Sequence, residues 1–130
     1  MDDDEGAKER FLQYLSIRSV HPNPDYKGCV DWLYGQASEI GLLFNVHEVV
    51  PGKPIVILSL ISAGSEGIML NSHMDVVPAD PSKWILGQGD PFKPVVTSDG
   101  KIVARGSQDM KCVGLMQVNI CTYICSKYYI

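Results

Sequence analysis

The chain has 130 residues, 45% of them hydrophobic and 20% charged, and a formal net charge of −4. That length allows one domain with a real core and is too short for two ordinary ones, and the composition is that of a globular protein and not of a disordered one. A negative balance offers no attraction to nucleic-acid phosphates or to an acidic membrane surface, so neither nucleic acid nor membrane is expected as a partner.

The acidic start, Met1 to Gly6, lacks the charged and apolar regions of a secretory signal, which points to a cytoplasmic protein. Lys8 to Ile17 then carries Phe11, Leu12 and Leu15 at helical spacing, and His21-Pro22-Asn23-Pro24 ends that helix. Asp25 is placed to cap a second helix, in which Val30, Leu33, Tyr34, Ala37 and Ile40 recur three and four apart, with Gly41 as its stop. Leu43 to Val50 is rich in β-branched residues and reads as a strand. Pro51-Gly52-Lys53-Pro54 turns the chain into a second strand, Ile55 to Ile61, that is apolar almost without interruption. Ala63 to Gly67 forms another turn, and Gly67-Ile68-Met69-Leu70 reads as a buried strand.

The link from Val76 to Gly100 is rich in proline and glycine, so regular structure should be sparse there. Trp84 and Phe92 are expected to pack it down. Asp99-Gly100 marks a turn into Lys101 to Ala104. From Met110 onward, Val113, Met116, Ile120, Tyr123 and Ile124 define the face of a buried helix, too short and too polar at Gln117 and Asn119 for a membrane span. Cys29, Cys112, Cys121 and Cys125 show no C-x-x-C spacing and read as reduced, buried thiols, although the four-residue step from Cys121 to Cys125 leaves a metal or disulfide role open. His21 and His47 stand alone and read as structural or solvent-facing.

Chemistry concentrates where the strand at Leu70 gives way to Asn71-Ser72-His73-Met74-Asp75-Val76-Val77-Pro78. In an extended chain alternate side chains share a face, so His73 and Asp75 project together. An imidazole beside a carboxylate suits a metal site, where neutral imidazole ligates and the carboxylate orients it. It equally suits a polar pair that caps a strand. A second stretch, Ala104 to Lys111, places Asp109 near a helix N-terminus, where backbone N–H groups favour an anion and leave a good metal ligand.

The two stretches His73-Met74-Asp75-Val76-Val77-Pro78 and Gly106-Ser107-Gln108-Asp109-Met110-Lys111 together resemble a zinc metallopeptidase family that includes carboxypeptidase G and acetylornithine deacetylase. Gln108, Tyr14-Leu15, Ile17-Arg18, Pro24-Asp25-Tyr26 and Asn71-Ser72 are most similar to its aminoacylase branch, and Trp84 with Asp90-Pro91-Phe92 resembles an element between the two motifs. The resemblance implies an α/β fold, a mixed sheet with flanking helices, forming part of a zinc-aminopeptidase-like catalytic domain. It implies His73 and Asp109 as metal ligands, Asp109 bridging two zinc ions (Zn2+) of a complete site, and Asp75 as the catalytic residue that orients the histidine. The implied reaction is hydrolysis of an N-acyl-L-amino acid, and the implied assembly of full-length relatives is a homodimer formed through a separate lid domain.

Metal-assisted hydrolysis needs about three protein ligands per zinc and a base for the water proton. Family members supply a tandem Glu-Glu, further acidic ligands and a distant histidine beyond the Asp-Met-Lys helix, and those positions are not in this sequence. Residues 1–130 are therefore expected to be the N-terminal part of a metallohydrolase catalytic domain, with 119–130 a tail lacking a family counterpart. Alone, the chain is expected to be inactive and marginally stable. A dipeptidase or desuccinylase of the same family, or a non-catalytic module that binds a full-length partner, are the rival readings.

Overall fold

The computed structural model describes residues 4–60 and 66–128. The expected turn at 63–65, the strand end at Ile61 and the outermost residues of both termini lie outside the described residues.

The chain is a mixture of helices and strands, as the α/β reading requires. Helix α1 spans Asp4–Ser16, and Asp4 and Glu5 in its first turn complement the helix dipole. It buries Tyr14 and Leu15, and the Tyr14 ring stacks on Trp32 with centroids 4.5 Å apart. Helix α2 spans Lys27–Ile40. Asp25 accepts a hydrogen bond from the Lys27 N–H (2.9 Å), so the expected acidic group does satisfy an otherwise orphaned donor at this helix start. Gly41, at φ 86°, closes α2 in the left-handed conformation and returns its N–H to the Ala37 carbonyl.

Strands β1 (Leu43–Val50) and β2 (Lys53–Ser59) form an antiparallel hairpin with Phe44 opposite Leu58 and Val46 opposite Val56. Pro54, Val56 and Leu58 are half-buried, while Ile55 and Ile57 on the other face are exposed. The apolar run in β2 thus has one covered face, because the pleat sends alternate side chains to opposite sides. The buried strand expected at Gly67–Leu70 is not formed. Ile68 is 92% and Met69 88% exposed, and no strand among the described residues pairs with them. An apolar run becomes a buried strand only where neighbours supply hydrogen bonds and cover.

The link after Val76 holds only two 3-10 turns, Pro81–Lys83 and Gly87–Gly89, before a short hairpin of β3 (Val95–Val96) and β4 (Ile102–Val103). Phe92 is buried there and Arg18 lies over its ring, so this part of the link is packed down as expected. Helix α3 spans Lys111–Tyr128. Its buried face is Lys111, Leu115 and Val118, whereas Met116, Ile120 and Tyr123, expected inside, are exposed. The helix is apolar on most sides, so contact with α1 and not periodicity selects the face. Among the described residues, no helix is long and apolar enough to cross a membrane.

Candidate metal centre

Two backbone devices bring the polar residues together. Val20 and Val76 form an isolated parallel bridge, in which the Val76 N–H donates to the Ser19 carbonyl (2.9 Å) and the His21 N–H to the Val76 carbonyl (3.1 Å). The Ser19 hydroxyl adds a bond to the Met74 carbonyl (2.6 Å), which fixes the segment carrying His73 and Asp75 against the end of α1.

The second device is Lys111, which is fully buried. Its ammonium donates to the carbonyls of Tyr14 (2.9 Å) and Ile17 (2.7 Å) and sits over the Tyr14 ring. A cation satisfying carbonyls at a helix C-terminus is favoured by the dipole as well as by hydrogen bonding. Burial pushes the Lys111 ammonium below the usual lysine range, with the neighbouring Cys29 thiol opposing it. Lys111 therefore pins the start of α3 to the end of α1, and Asp109 lies two residues before that pin. Gly106 completes the approach: at φ 89°, a Cβ there would lie 3.0 Å from Val76 Cγ1.

The result is a cleft of about 310 Å³ whose lining includes His21, His73, Asp75, Arg105 and Asp109. Its centre is a contact between His73 Nε2 and Asp109 Oδ1 at 3.0 Å. On its other side the His73 ring is held by Nδ1, 2.9 Å from the Asp75 backbone oxygen. A carbonyl can only accept, so Nδ1 carries the hydrogen, and a neutral His73 then presents a lone pair from Nε2. A lone pair facing a carboxylate oxygen at that distance needs positive charge between or on the groups, either an imidazolium proton or a metal ion. Zinc ligands at about 2.0–2.2 Å in tetrahedral geometry stand roughly 3.3 Å apart, so the pair would need to open by only a few tenths of an ångström. His73 and Asp109 therefore fit a metal. Among the described residues no third His, Cys, Asp or Glu completes the set.

The Asp75 carboxylate is engaged elsewhere. His21 donates from Nε2 to Asp75 Oδ2 (2.7 Å), while Asp75 Oδ1 lies 3.6 Å from His73 Nδ1. Burial opposes ionisation of Asp75, but the His21 hydrogen bond, its own backbone N–H and the charge of His73 outweigh it and hold the carboxyl below the usual carboxylate range. His21, read from sequence as standing alone, is thus part of the cleft, because the Val20–Val76 bridge is a long-range pairing that no local pattern announces. His47 is exposed on β1 opposite Ile55. All four cysteines are free thiols.

Residues 69–128 match the family described as peptidase family M20/M25/M40. Over 107 residues the chain is 45% identical to aminoacylase-1 of Mus musculus and 43% identical to aminoacylase-1 of Sus scrofa, alignments that cover 81% of this chain and 26% of each relative. It is also 30% identical over 105 residues to acetylornithine deacetylase of Vibrio campbellii, covering 79% of this chain and 26% of that protein. The chain thus spans about a quarter of the length of the curated relatives it matches.

Proposed function

We propose that the chain, whose residues 69–128 match peptidase family M20/M25/M40, contributes the N-terminal part of the catalytic domain of a zinc-dependent amidohydrolase acting on N-acyl-L-amino acids. The observation that carries this reading is the 3.0 Å approach of His73 Nε2 to Asp109 Oδ1, with Nδ1 occupied by a carbonyl and the lone pair directed at the carboxylate. His73 and Asp109 would hold the metal. The Asp109 side chain is largely exposed, so its carboxylate would be open to an ion arriving from solvent. When bound, the ion polarises an amide carbonyl and acidifies water. Asp75 fixes the histidine ring through its backbone oxygen and keeps a carboxylate beside it, so that Nε2 stays aimed at the metal position.

The described residues offer two ligands where a catalytic zinc takes about three, and the Asp75 carboxylate is bound to His21, so the 130 residues alone are expected not to turn over substrate. Four free thiols suit a reducing compartment, which supports placement in the cytoplasm. The experiment is zinc-dependent release of methionine from N-acetylmethionine. A longer protein that contains this chain together with a Glu-Glu pair beyond α3 is expected to be active, and to lose activity in His73→Ala. Zinc-dependent, His73-requiring turnover by the 130 residues alone would falsify the division of labour proposed here. A second reading, association with a larger partner, is supported by the exposed apolar side chains of Ile55, Ile57, Ile68 and Met69, and co-purification with such a partner tests it.

A further inference from the structure

Beside the metal ligands, the cleft contains a histidine that no ligand role absorbs. His21 and Asp75 are 54 residues apart in sequence, yet their side chains meet at 2.7 Å, the shortest histidine contact in the cleft. The backbone already joins these segments on the adjacent residue, through His21 N–H to Val76 O and Val76 N–H to Ser19 O. The side-chain bond adds a constraint that the backbone bridge lacks: it fixes the torsion of the Asp75 carboxylate. A chain of contacts results: His21 to the Asp75 carboxylate, the Asp75 backbone oxygen to His73 Nδ1 with Oδ1 of the carboxylate 3.6 Å away, and His73 to Asp109.

We propose that His21 is a positioning residue of this centre, holding Asp75 by Oδ2 so that the Asp75 backbone oxygen and Oδ1 keep His73 in the Nδ1–H tautomer with Nε2 facing Asp109. This deepens the metal-centre reading and rests on it. The physical reason is that ring orientation and tautomer in a ligating histidine are set by what its other nitrogen meets, and that partner must itself be held still. Without His21, Oδ2 loses its donor and the carboxylate is free to rotate between His73 and solvent. Removing such outer partners typically weakens metal binding about 10–100-fold. The His21 side chain is 45% exposed, so its removal takes little packing with it.

The test compares wild type, His21→Ala and His21→Gln in the full 130-residue chain by two readouts. One is the 15N shifts and Nδ1 proton exchange of the His73 ring without metal. The other is the Kd for Zn2+ by calorimetry. The glutamine amide places a donor at a reach similar to that of imidazole Nε2. In His21→Ala, with the backbone carbonyl alone left to hold the ring, the His73 15N shifts are expected to move, Nδ1 proton exchange to quicken and the zinc Kd to rise about 10-fold. His21→Gln is expected to keep the wild-type ring signature, with a Kd within about twofold. Unchanged ring signals and Kd in His21→Ala overturn the proposal, as does a His21→Gln variant no better than His21→Ala. If wild type binds no zinc, the metal-centre reading fails by itself, and the metal-free His73 signals still decide whether His21 positions the ring.

Discussion

His73 Nε2 and Asp109 Oδ1 lie 3.0 Å apart across 36 residues of sequence, and the opposite ring nitrogen of His73 is already occupied by the Asp75 carbonyl. This places a lone pair against a carboxylate, an arrangement completed by one cation. On the proposed metal-centre reading, zinc would take this position in competition with a proton. Zinc uptake is expected to release a proton and to weaken as the pH is lowered, and Asp109→Asn or His73→Ala is expected to reduce affinity at least about 10-fold. Calorimetry in buffers of different ionisation enthalpy measures both effects, and an affinity insensitive to pH and to either substitution would contradict the site.

Lys111 ties α3 to α1 through the Tyr14 and Ile17 carbonyls. Replacing it with methionine keeps the apolar stem and leaves the Tyr14 carbonyl its bond from the Ile17 N–H (3.3 Å), but removes the Lys111 donor from the Ile17 carbonyl, at a cost of about 1–3 kcal/mol for a buried group left unsatisfied. A lower urea midpoint is the expected result. A Lys111→Met chain as stable as wild type would mean that water reaches the Ile17 carbonyl.

Alkaline pH should reveal the burial of Tyr14. Desolvation, with the Cys29 thiol adding, pushes its phenol well above the usual value near 10. Its folded-state pKa is raised, so the stability it contributes is fully present below about pH 10 and is lost as the pH climbs toward the folded value, because the unfolded chain ionises first. The slope approaches about 1.4 kcal/mol per pH unit. Tyr14→Phe keeps the stacking on Trp32 and lacks this component. The difference in stability between the two proteins should shift between pH 9 and pH 11 in favour of the variant.

Gly106 sits at φ 89° with Val76 Cγ1 3.0 Å from where a Cβ would stand. Gly106→Ala is expected to cost about 1–3 kcal/mol through backbone strain and to displace the turn carrying Asp109. Zinc affinity should fall together with the melting temperature. Loss of stability with unchanged zinc binding would show that Asp109 is placed independently of this turn.

Exposed Ile57 on β2 and Met69 in the unpaired segment leave apolar surface open to other chains. The Ile57→Lys, Met69→Lys double variant is expected to be more soluble and to stay monomeric at higher concentration, with only a small change in unfolding midpoint. Light scattering across a concentration series distinguishes this from association through another face.

Much of the local architecture was legible in the residues themselves. Gly41 stops α2, Asp25 marks its start, Asp99-Gly100 makes the β3–β4 turn, and the proline-rich link is nearly free of regular structure. Those signals act over a few residues, through capping hydrogen bonds and permitted torsions, so a linear reading captures them. His73 and Asp109 could also be singled out as a pair, from the motifs around them. What the tertiary structure alone decided is which groups meet across long separations: His21 on Asp75 through the Val20–Val76 bridge, Lys111 buried under α1, and the 115/118 face of α3 turned inward instead of 116/120. Segment 67–70 makes the same point, because its apolar sequence is common to a central strand and an exposed one. Periodicity states which side chains share a face; only the neighbouring element, by excluding water or failing to, determines which face is buried.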